Sequence, residues 1–179
     1  MSVAWPRRRG SNVEPPDGPG GPRDIVAHVV AAPDPASIRA MMTPYLHELT
    51  PGASSLYPRL ELYWEDPDRL PYVIRVGVED VGFALVRDHM EARLHEMAEF
   101  YVERAWRRLG VGRHAVSALF ERHPGFWHLQ ILEDNVVARA FWRSVVPPPA
   151  DETRHVAANG RRFVVMQFRA GATVPRAAR

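Results

Sequence analysis

The chain has 179 residues, 46% of them hydrophobic and 25% charged, with a net charge of +2. That is enough for one domain with a proper core, and the charge balance gives no argument for nucleic-acid binding. Cysteine and lysine are both absent, all 23 basic residues being arginine. This excludes disulfides, thiolate nucleophiles, cysteine-held metal and Schiff-base chemistry.

Residues 1–22 are rich in Pro, Gly and Arg and show no periodicity. They are expected to form a disordered arm that buries too little apolar surface to order itself. Arg7, Arg8 and Arg9 lie in it, with no apolar stretch after them, so no signal peptide is expected. No run reaches membrane-spanning length, and the cytoplasm is the default. Asp24 to Ala32 reads as a first strand. A helix should start at Asp34-Pro35-Ala36-Ser37, with Ile38, Met41, Met42, Tyr45, Leu46 and Leu49 on one face and Pro44 kinking or shortening it. Residues 50–70 read as a short second helix and loop, rich in aromatics. Tyr72–Val78 and Val81–Arg87 read as strands around a turn at Glu79-Asp80. Residues 88–93 are turn-like, and Leu94–Glu103 is the next strand.

A glycine-rich turn follows that strand. Gly110 and Gly112 bracket it, and a helix from Gly112 to Arg122 continues until His123-Pro124-Gly125 stops it. The first N–H groups of a helix have no partner within it, and the dipole adds partial positive charge there. Missing Cβ atoms let a phosphate approach the backbone. Arg107, Arg108 and Arg113 add charge, so the turn reads as a pyrophosphate cradle. A P-loop is excluded, because no Gly-Lys-Ser/Thr follows. The dinucleotide fingerprint fails because Ala115 holds its third glycine position.

Phe126–Leu132 reads as a strand, and Glu133-Asp134-Asn135 starts a helix over Val136–Val145 that Pro147-Pro148-Pro149 ends. Residues 153–158 and 162–169 read as a closing strand pair around a tight turn at Asn159-Gly160, and 171–179 as a flexible tail. The expected fold class is α+β, a mixed central sheet flanked by helices, formed by residues 23–170.

Two motifs together resemble the GNAT superfamily of N-acyltransferases. Arg107-Arg108-Leu109-Gly110-Val111-Gly112 matches the superfamily's Arg/Gln-x-x-Gly-x-Gly acyl-CoA pyrophosphate loop. Asn135-x-x-Ala138-x-x-Phe141-Trp142 is similar to its later Asn-x-x-Ala-x-x-Phe-Tyr pattern. The resemblance covers roughly residues 24–169, and Glu99-Phe-Tyr-Val, Pro124-Gly-Phe-Trp and Ala140-Phe-Trp-Arg look like one branch of predicted acetyltransferases. It implies acetyl-CoA as acyl donor, no metal and an amine acceptor. The main chain of Phe100, Tyr101 and Val102 would pair with pantetheine as an added strand. Arg107, Arg108, Leu109, Gly110, Val111, Gly112 and Arg113 would hold the pyrophosphate, and Asn135 and Trp142 would also meet the cofactor. Trp142 stands where the family carries a tyrosine thought to protonate the leaving thiolate, and indole is no useful acid.

In the family a glutamate on the strand before the glycine turn often serves as base. Glu99 is the first candidate here and Glu96 the second. Strict alternation puts them on opposite faces, and the bulge typical of such strands would unite them. The aromatics Tyr57, Tyr63 and Trp64 would either line the acceptor site or plug the core. His95-Glu-Met-Ala-Glu99 lacks the second histidine of a zinc helix, so metal is not expected. The expected function is acetyl transfer from acetyl-CoA to a primary amine by direct attack in a ternary complex. The rival is a non-catalytic acyl-CoA-binding or regulatory module. No nucleic-acid or membrane partner is expected, and the resemblance allows a homodimer. Acceptor specificity is expected in residues 50–70, 88–93 and 147–155.

Overall fold

The longest apolar run of the chain, Val81 to Val86, is buried residue after residue. A strand can bury every side chain only if both its faces are covered. The computed structural model, which describes residues 25–49 and 57–171, puts this run in the middle of a seven-stranded sheet. The elements follow in the order β1 (Ala27–Ala31), α1 (Ala36–Leu49), α2 (Leu62–Glu65), β2 (Arg69–Val76), β3 (Glu79–His89), β4 (Leu94–Val102), α3 (Val111–Arg122), β5 (Gly125–Leu132), α4 (Val136–Val145), β6 (Ala150–Val156) and β7 (Arg162–Ala170). Short 3₁₀ turns occupy Met90–Ala92 and Arg104–Trp106. The sheet order is β1-β2-β3-β4-β5-β7-β6. Only β4 and β5 pair in parallel; the other neighbours are antiparallel.

Alternate residues of β3 feed two cores. Phe83 and Leu85 join Ile38, Met41 and Met42 of α1, Tyr63 of α2 and Tyr101 of β4. Ala84 and Val86 face the other way, with Val116 and Leu119 of α3 and Trp127 and Leu129 of β5. The mixed α+β sheet expected from the sequence is therefore the fold. The expected arm at 1–22 and the segment 50–56 lie outside the described residues, as does the tail from 172 onward. Among the described residues no helix is long and apolar enough to cross a membrane.

Three local readings change. The first hairpin turns at Gly77-Val78 and not at Glu79-Asp80: Gly77 takes a φ of 59°, a conformation cheap only for glycine. Asp80 is instead a strand residue whose carboxylate accepts from Arg75 Nε at 2.7 Å. The last hairpin has a five-residue loop over 157–161, closed by Ala157 N–H donating to Arg161 O at 2.8 Å and by Arg161 N–H donating to Asn159 Oδ1 at 3.1 Å. Finally, α1 runs through exposed Pro44 to Leu49 without being cut short.

Candidate active site

The site begins where β4 and β5 part. Their parallel pairing runs from Leu94↔Phe126 to Met97↔Leu129 and stops there, although β4 continues to Val102 and β5 to Leu132. A cleft therefore opens beside Ala98–Val102. On its other edge β4 stays paired to β3 as far as Gly82↔Val102. Backbone parity decides which groups face the cleft. Glu103 N–H donates to Val81 O on the β3 side, at 2.9 Å. Successive residues of a strand point their N–H and C=O to opposite edges. Tyr101 and Glu99 thus face β3, while Phe100 and Val102 face the open edge. Of the three residues expected to offer main chain there, two are so oriented.

Above the open edge lies the N-terminus of α3. Gly110 caps it with a φ of 84° and no side-chain cap, so the first-turn N–H groups of α3 keep no side-chain partner at that end. Arg108 also has a positive φ, 65°, which costs an L-residue on the order of 1–2 kcal/mol. Such strain concentrates at functional sites. Gly112 is a glycine for another reason: a Cβ there would sit 3.1 and 3.2 Å from two atoms of the Phe141 ring. That ring is stacked on Phe100, with centroids 5.7 Å apart and planes 14° from parallel. Trp142 packs edge-on against both, at 5.3 Å from Phe100 and 5.2 Å from Phe141. The second sequence motif therefore closes against the first through three aromatic rings.

The arginines divide. Arg107 is a brace: its Nε donates to Val102 O at 2.7 Å, its Nη2 to Glu48 at 2.8 Å, and its guanidinium lies over the Tyr101 ring. Arg113 donates from Nη1 to Ser144 O at 3.0 Å, tying α3 to the end of α4. Exposed Arg108 and Leu109 stand at the cleft mouth, whereas Val111 is fully buried in the core. Asn135 caps α4, its Oδ1 accepting from Ala138 N–H at 3.0 Å. Asn135→Ala is therefore expected to cost about 1 kcal/mol of stability in chemical denaturation. If Asn135 only caps, the affinity for acetyl-CoA measured by calorimetry will not change; a drop would give its amide a second role.

The floor of the cleft on the α1 side carries the carboxylates. Leu85 pairs with Glu99 but Val86 pairs with Met97, so Ala98 is an extra residue and β4 is bulged. The bulge breaks alternation, and both Glu96 and Glu99 face the α1 side. Tyr45 of α1 donates to Glu99 Oε2, and Tyr57 also hydrogen-bonds this carboxyl. Burial pushes the Glu99 carboxyl above its ordinary range, while the two tyrosines and Arg87 pull it partly back. Burial raises the Tyr45 and Tyr57 hydroxyls further, so both are neutral donors. Glu96 receives His89 at 3.0 Å and Arg87 at 3.5 Å. Arg87 Nε also donates to the hydroxyl of buried Tyr63, at 3.3 Å. Trp64 is a strut, donating to Ala32 O at 2.9 Å. A cavity of about 390 Å³ adjoins this network, lined among others by Asp66, Arg69, Arg87, Asp88, His89 and Glu91. Among the described residues no three His, Asp or Glu side chains converge as a metal site.

The sequence reading missed Tyr45, which it placed only on the apolar face of the first helix. Its partner Glu99 lies 54 residues away, and helical periodicity carries no signal for such a pairing. Arg87 of β3 and His128 of β5 meet Glu96 only through strand pairing, which strand alternation within either segment does not reveal.

Comparison with known proteins places this fold in a family. The family described as "Acetyltransferase (GNAT) family" matches residues 36–145. The chain belongs to the GNAT acetyltransferase family. Solved GNAT-like structures agree in fold. An acetyltransferase from Thermus thermophilus has a TM-score of 0.64 at 14% identity, covering 82% of this chain and 98% of its own. Ard1 from Thermoplasma volcanium has a TM-score of 0.62 at 18% identity, covering 82% and 99%. The ribosomal-protein-S18-alanine N-acetyltransferase from Escherichia coli has a TM-score of 0.58 at 12% identity, covering 86% and 100%. Identities this low carry the fold and not the acceptor. Among curated proteins none matches the sequence.

Proposed function

We propose that the chain is an N-acetyltransferase that moves the acetyl group of acetyl-CoA to a primary amine by direct attack in a ternary complex. The observation that carries this is the cleft itself. β4 leaves β5 after Met97, Phe100 and Val102 turn their main-chain groups to the gap, and the bare N-terminus of α3 stands over its end. Phe100 and Val102 would pair with the pantetheine arm. The N–H groups of Val111, Gly112 and Arg113 would take the pyrophosphate, with Arg108 beside them. Charge-assisted hydrogen bonds contribute about 1.5–3 kcal/mol each, so a few suffice for micromolar binding. The donor supplies an activated acyl group. The Val102 N–H would polarise its carbonyl.

The acceptor must lose a proton. For an alkylamine with a pKa near 10.4, deprotonation at pH 7 costs about 4–5 kcal/mol. Glu99 is the proposed base, its carboxyl held by two neutral tyrosines on the cleft floor, with Glu96 as the second candidate. Trp142 supplies no acid; its indole N–H would donate a hydrogen bond to sulfur.

The test is thermal unfolding with and without acetyl-CoA, followed by a panel of amines. A raised midpoint with release of CoA supports the transferase. A raised midpoint without turnover on any amine favours the binding module. No shift at millimolar acetyl-CoA removes both. Because the chain has no lysine, acetylation of the protein's own side-chain amines cannot obscure the assay.

A further inference from the structure

One histidine on the cleft floor is left without a role by that reading. His128 stands on β5 directly opposite Glu96, one pair before the strands separate. Trp127 and Leu129 on either side point into the α3 core, so His128 points to the α1 side with Glu96, Glu99 and Arg87. Its Nδ1 is buried and has no hydrogen-bond partner. A buried, unpartnered ring nitrogen is costly and calls for a ligand or a proton. Beside it Glu96, only 17% exposed, is already bound by Arg87 and His89. His89 is 45% exposed and leads from this carboxylate to solvent. On the far side β7 places neutral Gln167 opposite His128, and Arg169, next on the same face, lies over the Phe126 ring. The groups facing the imidazole are thus Glu96 from β4 and Arg87 and His89 from β3.

The chemistry has room for a second proton acceptor. A protonated amine and acetyl-CoA give an amide, CoA thiol and one proton. The C–N bond forms, the C–S bond breaks, and the nitrogen goes from three hydrogens to one. One proton ends on sulfur and one in solvent. The nitrogen is therefore deprotonated twice, once before attack and once afterwards. Glu99, enclosed by Tyr45 and Tyr57, lies deeper at the bulge and keeps the proton lost after attack, so the deprotonation of the incoming ammonium, given above to Glu99 alone, falls to a second group. The Glu96–His128 pair lies at the end of the cleft that reaches water through His89.

We propose that His128 takes the first proton, turning the incoming ammonium into the attacking amine, and that Glu96 is the positioning residue that stabilises the imidazolium formed. The inference rests on the transferase reading above. Burial, His89 and Arg87 hold the imidazole below its ordinary range while Glu96 draws it up, so it enters the reaction neutral. A base so placed contributes about 10²–10⁴-fold, but only for an acceptor that arrives charged.

The test compares two probe amines, ethylamine and the far less basic 2,2,2-trifluoroethylamine, at pH 7.5. His128→Gln is expected to lower kcat/KM for ethylamine at least about tenfold more than for trifluoroethylamine. Glu96→Gln should show the same bias more weakly. Glu99→Gln should slow both amines alike. Equal losses on both amines in His128→Gln overturn the proposal and leave His128 structural, as does a variant that matches the parent on ethylamine. Should His128→Gln unfold, His128→Asn and Glu96→Gln carry the same comparison. A parent protein stabilised by acetyl-CoA but releasing no CoA with these two amines or with any amine of the panel overturns the transferase reading, and this inference with it.

Discussion

Gly110→Asn is expected to abolish the rise in unfolding midpoint produced by acetyl-CoA while leaving the free protein folded. Gly110 sits at φ 84°, and the nearest atoms to an added Cβ are those of the His114 ring at 3.9 and 4.0 Å. The protein itself therefore has space for a side chain; what forbids most residues is the backbone angle. Asparagine is among the few that tolerate it. Valine is not, and Gly110→Val is expected to lower the midpoint of the free protein as well. The asparagine side chain projects over the first-turn N–H groups of α3, where the phosphates are proposed to lie. Saturation at 100 times the dissociation constant adds about 2.7 kcal/mol of stability, which thermal unfolding reads easily. A full acetyl-CoA shift in Gly110→Asn would remove the pyrophosphate from this turn. Gly112→Val is a separate experiment: its Cβ drives into Phe141 and disturbs the stack on Phe100, so it tests the aromatic closure and not the cradle.

Helix α4 carries local signals at both ends, an Asx cap and a proline stop, and its observed span of Val136–Val145 is the one those signals give. The glycine turn and the order of elements were legible for similar reasons. The hairpin at Gly77 was not. Glu79 and Asp80 look like turn residues by polarity, yet Asp80 is satisfied across the strands by Arg75, and only the glycine supplies the needed φ. Contacts between distant residues were beyond reach in kind. Arg107 reads as one more charge in a basic loop, whereas in the fold it spans Val102, Glu48 and Tyr101. Asn135 is a conventional helix cap, and its geometry requires no further role. The bulge at Ala98 came as an expectation of the family resemblance. No pattern in Leu94–Val102 specifies it, because register is settled by pairing with β3.

Glu99→Gln is expected to slow transfer about 10²–10⁴-fold at neutral pH without weakening acetyl-CoA. The side chain lies below the open edge of β4, and the main-chain groups of Phe100 and Val102 stay as they are. The same substitution should stabilise the protein at high pH. Burial raises the Glu99 carboxyl above its value in the unfolded chain, so the native state binds this proton more tightly. Stability associated with it is complete at low pH and is lost as pH rises through the native value. Glutamine does not ionise, so it avoids that loss, and its amide oxygen still accepts from a tyrosine hydroxyl. Unfolding midpoints of the two proteins should therefore diverge between pH 5 and pH 8, with the variant the more stable at pH 8. The acid limb of kcat/KM in the parent should lie above the ordinary glutamate value of about 4.3. A slower yet more stable enzyme is the signature of a carboxylate kept buried for chemistry. An unchanged rate would remove Glu99 from the proton transfer. A variant less stable than the parent at pH 8 would mean that the tyrosine bonds to the ionised carboxylate outweigh its burial, and that Glu99 serves the fold.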